Sequence, residues 1–186
     1  MKDAQSSVTI QSPYLVTMAR SEQLFRDAMA RGVRVRILTN SLASTDNLDA
    51  LSSYQRDRAT LLALGVEIYE FRPDAAVRRQ IMTGALQSTL DYAPIFGLHA
   101  KSMVIDDRIA VIGTFNLDPR SANLSTEYLA IVRDARVAQD LAHSMAVDMF
   151  PGNAWHLTST SNPDGEVALG KRLKVLLRRA VPKAVL

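Results

Sequence analysis

Residues 97–121 read GLHAKSMVIDDRIAVIGTFNLDPRS, and within them His99 and Lys101 stand two positions apart in an otherwise apolar run. Alternate residues of an extended strand share a face, so both side chains point the same way as Met103 and Ile105. A turn at Asp106, Asp107 and Arg108 returns the chain as a hairpin. A two-residue turn at 106–107 sets His99 opposite Thr114; one at 107–108 sets it opposite Asn116. Either register gathers His99, Lys101, Thr114 and Asn116 on one face, whereas a three-residue turn breaks that parity. An imidazole, a fixed cation and an amide donor on one face suit a phosphate group. The imidazole can attack phosphorus or act as a base, and the ammonium and amide meet the non-bridging oxygens. Asp106 lies roughly 20 Å from His99 along extended chain, so it is expected to brace the turn.

Several elements must position that hairpin. SSVTIQSPYLV reads as a strand ending at Ser12-Pro13, and ARSEQLFRDAMARG as a helix stopped by Gly32. VRVRILTN alternates Val33, Val35 and Ile37 with arginines, a half-buried strand. A polar loop follows, then a helix from Tyr54 to Leu64 and the strand VEIYEF. This β-α-β-α-β order predicts an α/β fold with a mixed, largely parallel sheet flanked by helices. Residues 73–96 show no pattern that places them. A strand pair over 98–115, a strand at TEYLAIV and a helix from Arg136 to Phe150 complete a domain spanning residues 1–150. Residues 151–186 form a C-terminal extension, loop-like until KRLKVLLRRAVPK. There Leu173, Leu176, Leu177 and Ala180 make one stripe among basic residues. Such a helix either docks on its own core or rests on an anionic lipid surface.

The bulk numbers leave most classes open and close a few. The 186 residues are 47% hydrophobic and 22% charged, with a net charge of +3, an ordinary globular composition. Absence of cysteine removes thiol nucleophiles, disulfides and thiolate metal sites. His99, His143 and His156 lack ligand spacing, so no metal and no cofactor is expected. His143 and His156 read as structural. No apolar run approaches the ~20 residues of a membrane span. The start MKDAQSSVTIQSP has no signal-peptide centre and enters directly on a strand, which suggests an upstream half.

His99-x-Lys101, then Asp106, then Gly113-Thr114-x-Asn116 resembles the HKD signature of the phospholipase D superfamily. NLDPRSANLSTE is similar to the bacterial cardiolipin synthase branch, as are SPYLVT and LTNSLASTDN, and the segment order resembles the C-terminal half of a two-motif enzyme. Ser125 and Leu51 depart from that branch, which carries asparagine and histidine there. The resemblance implies a phospholipase D-like half that acts on phospholipid phosphodiesters through a phosphohistidine, without metal. Its catalytic set would be His99, Lys101, Asp106, Asn116 and Glu127, with Glu127 holding the His99 ring by its Nδ1–H. Thr114 and Ser121 would contact the substrate, Ser121 serving alternatively as a helix cap. Asp118 and Arg120 would form an internal ion pair. Asn40 and Ser41 follow a parallel strand, where α/β ligands bind, so they join the substrate-binding set.

The superfamily uses two histidines, one attacking and one protonating the leaving group. The chain is therefore expected to need a second HKD half, from the same longer chain or from a homodimer. Peripheral contact with a bacterial inner membrane, or a cytoplasmic location, follows from the resemblance. The alternatives are a metal-independent homodimeric nuclease, disfavoured by the mild charge, and an inactive fragment.

Overall fold

The computed structural model describes residues 1–78 and 96–183, so most of the unassigned stretch 73–96 lies outside the described residues. The chain opens with β1 (Ser7–Gln11), α1 (Ala19–Ala30), β2 (Arg34–Asn40), α2 (Leu48–Ala63) and β3 (Glu67–Phe71). It continues with β4 (Ser102–Ile105), β5 (Ile109–Gly113), α3 (Pro119–Asn123), β6 (Leu129–Val132), α4 (Ala135–Asp148), β7 (Ala154–His156) and α5 (Leu169–Leu177). Seven strands form one sheet in the order β6-β5-β4-β1-β2-β3-β7. Pairing is parallel for β1 with β2 and for β2 with β3, and antiparallel at the other four contacts. The α/β class is as expected, with the parallel character confined to the three strands linked by α1 and α2.

Local chemistry sets the helix boundaries. The Asn47 side chain accepts from Asp49 N and Ala50 N at 3.1 and 3.0 Å, so α2 begins at Leu48, well before the expected Tyr54. That cap sits inside a loop whose polar residues mask the start. Asp134 caps α4 in the same way, through Arg136 N and Val137 N. The strand β7 was not foreseen. Its three residues are too short for a readable alternation, yet they pair antiparallel with β3, His156 stacks on Tyr69 and Trp155 packs beneath the Arg72 guanidinium.

One face of the sheet carries Val8, Ile10, Val35, Ile37 and Ile68 against Phe25 and Ala28 of α1 and Leu51, Tyr54 and Leu61 of α2. Burial of each such aliphatic side chain contributes roughly 1.5–3 kcal/mol. On the other face Val104 and Ala110 meet Ala138 and Met145 of α4. Val35 and Ile37 alternate as expected, but Leu38 is buried as well, because β2 is covered on both faces.

The C-terminal extension returns along α2. Arg58 joins Asp164 at 2.6 Å and Glu70 at 3.0 Å, and Tyr54 donates to the same Glu70 oxygen at 2.8 Å. Burial lifts the Glu70 carboxyl to about 7 against the pull of Arg58. Helix α5 docks through Val175, while Leu173, Leu176 and Leu177 point outward. The leucine stripe is thus not the docking surface.

Candidate active site

The hairpin register departs from expectation. Ile105 pairs with Ile109 and Ser102 with Ile112, so the turn holds three residues, 106–108. Asp106 and Asp107 both adopt left-handed backbone, φ 53° and 51°, and Arg108 N closes the turn on Ile105 O at 3.1 Å. Extending that pairing places Lys101 opposite Gly113, and Thr114 and Asn116 fall on the face of Ser102 rather than of Lys101. Ladder parity therefore does not gather the four side chains. Instead the ladder stops at Gly113, and residues 114–118 leave it as a loop that bridges Leu117 to Leu15.

That loop is bound up with Glu127. Thr114 Oγ1 donates to Glu127 Oε2 at 2.5 Å and accepts from Tyr128 N at 3.0 Å. Hydroxyl donors on Thr114 and then Ser121 hold the Glu127 carboxyl below the ordinary range, with a smaller contribution from Lys101. Ser121 Oγ also accepts from Asn116 N at 3.2 Å, and Asp118 accepts from Ser121 N at 2.7 Å. Asp118 is thus the cap of α3, and Ser121 is not. Among the described residues Asp118 and Arg120 form no ion pair. Asn116 Oδ1 is buried without a hydrogen-bond partner among those residues, which leaves its amide uncommitted.

His99 is exposed, and its ring makes no hydrogen bond among the described residues. Glu127, expected to hold that ring, instead holds the Thr114 hydroxyl. Lys101 Nζ donates to the His99 carbonyl at 3.0 Å, which keeps the ammonium beside the histidine. Partial burial pulls the Lys101 ammonium below the usual lysine range, opposed by Glu127, Asp46 and Asp118. Three carboxylates thus act on one amine without an ion pair to it among the described residues. Tyr14 donates to both Asp46 oxygens at 3.1 and 3.3 Å, and burial followed by the Asp46 charge raises its phenol to about 12.

Asn40 and Ser41 are placed differently from expectation. Asn40 Nδ2 donates to Leu98 O at 2.9 Å and Asn40 Oδ1 accepts from Leu98 N at 2.8 Å. Its buried amide clamps the residue before His99 and has little left for a ligand. Ser41 is fully buried, and its hydroxyl lies 3.1 Å from Ser44 Oγ inside the loop. Asp106 is a brace, but for the entrance of β1 rather than for its own turn. Its carboxylate accepts from the backbone N–H of Gln5, Ser6 and Ser7 at 2.8–3.1 Å and from the Ser6 hydroxyl at 2.9 Å. Burial opposes its charge, yet these donors bring the carboxyl down to about 2.

Residues 1–149 match the family model described as "Cardiolipin synthase, PLD-like domain". The chain belongs to this phospholipase D-like family. It is 39% identical over 153 residues to cardiolipin synthase C of Escherichia coli (strain K12), covering 80% of this chain and 30% of that protein. The chain thus spans less than a third of the curated relatives it matches. Among solved structures, phosphatidylserine synthase of Haemophilus influenzae Rd KW20 aligns with TM-score 0.63 at 13% identity, over 99% of this chain and 42% of that one. Nuc of Salmonella typhimurium, a phospholipase D family member, aligns with TM-score 0.59 at 14% identity, over 84% and 85%. These two likenesses establish the fold.

The phospholipase D-like hairpin also depends on two glycines that sequence reasoning passed over. A Cβ on Gly113 would stand 2.0 Å from Tyr128 O, and one on Gly97 would stand 2.7 Å from Ser44 O. Both lie where backbone meets backbone, on either side of the site. Tyr14 was missed because a tyrosine after Ser-Pro reads only as a strand end.

Proposed function

We propose that this chain supplies one half of a phosphodiester-transfer site acting on phospholipids, completed by a second HKD half. The observation that carries the reading is a shared sheet face. By strand parity Lys101, Met103 and Val111 line the same side as Leu129 and Ile131 of β6. Leu129 and Ile131 are 46% and 58% exposed there, so an uncovered apolar strip adjoins the half-site. A second half seated on that strip would bring its own imidazole towards His99. One imidazole then attacks phosphorus and forms the phosphohistidine, and the bond to the leaving alkoxide breaks. The other imidazole, protonated, gives that alkoxide its proton. Water or an alcohol next attacks the phosphohistidine and frees the enzyme. Lys101 offsets charge on the non-bridging oxygens, and Asn116, with its uncommitted amide, takes a further polar contact. Thr114 and Glu127 hold the loop that presents Asn116, so Glu127 reaches His99 only after leaving Thr114.

The test is turnover of phosphatidylglycerol vesicles by the chain alone and by the chain mixed with a separately made N-terminal half of a cardiolipin synthase, with His99→Ala as control. Phosphatidic acid or cardiolipin formed by the mixture, and lost in His99→Ala, supports the reading. Lipid left intact in both mixtures sinks it. A homodimeric nuclease is the second reading, favoured by one observation: the fold matches Nuc over 85% of that chain, so a unit of this size occurs as a chain by itself. Metal-independent DNA cleavage in place of lipid turnover would establish it.

A further inference from the structure

Helix α5 turns chemically different faces inward and outward. On the inner side Val175 is buried, Arg178 Nη1 bonds Asp49 Oδ2 at 2.5 Å, and Lys171 Nζ donates to the carbonyls of Ala43 and Thr45 at 3.4 Å. At about 100° per residue these three lie together, and Leu169, Leu173, Leu176 and Leu177 lie on the opposite side. The four leucines are 65%, 50%, 51% and 78% exposed. Arg172 and Lys174 flank the stripe and Arg179 follows in the next turn; all three are exposed and none meets a carboxylate among the described residues. The cations used in docking are thus separate from those beside the leucines.

An anionic bilayer accepts both components, the leucines at the boundary of headgroup and acyl chain and the cations among the phosphates. The position suits this occupant. Lys171 anchors α5 to the loop that leads to Asp46, whose charge bears on Lys101. Helix α5 therefore packs beside the loop that carries Asp46.

We propose that α5 is a seat for an anionic phospholipid surface, with Leu169, Leu173, Leu176 and Leu177 entering the interface and Arg172, Lys174 and Arg179 binding its phosphates. This seat is independent of the catalytic reading, since binding needs no turnover. The test is flotation of the 186-residue chain with vesicles of phosphatidylcholine alone, or of phosphatidylcholine and phosphatidylglycerol in equal parts. Wild type should float with the anionic vesicles only, and salt should release it. The double variants Leu173→Ser/Leu177→Ser and Arg172→Glu/Lys174→Glu should each weaken binding by about tenfold or more. Their melting temperatures should stay at the wild-type value, because the replaced side chains are exposed. Failure of wild type to bind anionic vesicles overturns the proposal, as does wild-type binding by both variants. A leucine variant that lowers the molecular mass in light scattering, with vesicle binding intact, also overturns it and makes a second copy the occupant.

Discussion

The two ends of the sheet are built to different standards of closure. Around β1, β2 and β3 both faces are covered, and Val8, Val35, Ile37, Leu38 and Ile68 have no exposed surface. Across β5 and β6 the covered face is the one against α4, and Leu129 and Ile131 of the other face point outward on the side of Lys101. Their solvation costs little in stability but leaves a surface that association can bury. On the proposed function the closed end would hold the fold and the open end present the chemistry, since a site completed by a second half requires a surface not yet used.

Substitutions at the two ends should separate these roles. The largest effect is expected at the open end, where His99→Ala should lower lipid turnover of the completed site by at least about 10³-fold with no change in melting temperature. A variant retaining turnover would remove the imidazole from the mechanism. Next, Ile37→Ala should cost about 2–5 kcal/mol in urea denaturation, whereas Ile131→Ala should stay within ~0.5 kcal/mol. Ile131→Asp should weaken association with the second half at little cost to the isolated chain; equal unfolding costs at both positions would erase the contrast.

Asp106→Ala should destabilise by about 2 kcal/mol, because a charged acceptor of four donors disappears. Its pH signature has a definite sign. The folded carboxyl titrates at about 2, below its unfolded value of 3.8, so its contribution is complete above pH 4 and is lost as pH falls towards 2. At Glu70 the pH dependence has the opposite sign. Its folded pKa of about 7 exceeds the unfolded 4.5, so the folded state binds more protons between them and stability declines as pH rises through that window. Glu70→Gln should flatten the decline, and a slope that persists in the variant would assign it to another group.

Legibility in the sequence follows the same divide. Strands β1 to β3 could be read from Val and Ile alternation and from Gly32, because burial on a continuous core imposes periodicity. The motif could be read from its spacing. The geometry around it could not. Asp106 and Asp107 accept left-handed backbone without a glycine to announce it, so the turn gained a residue and the parity argument failed. Asn40 looked like a ligand contact because its type and place fit one, yet the Leu98 backbone takes both ends of its amide. Glu127 likewise satisfies a nearby hydroxyl before it can serve a ring. In α5 the sequence displays the leucine stripe, but only the packing of Val175 shows which side is turned away.

Asp106 gathers backbone donors from residues 5–7, a hundred positions upstream. The hairpin is therefore no portable cassette. Transplanted into another sheet without that entering peptide, it would carry an anion with nothing to hold, and the graft would fail at assembly before any catalysis could be measured. Conversely, changes to the opening residues should be felt through the motif's third letter, however far they lie from His99.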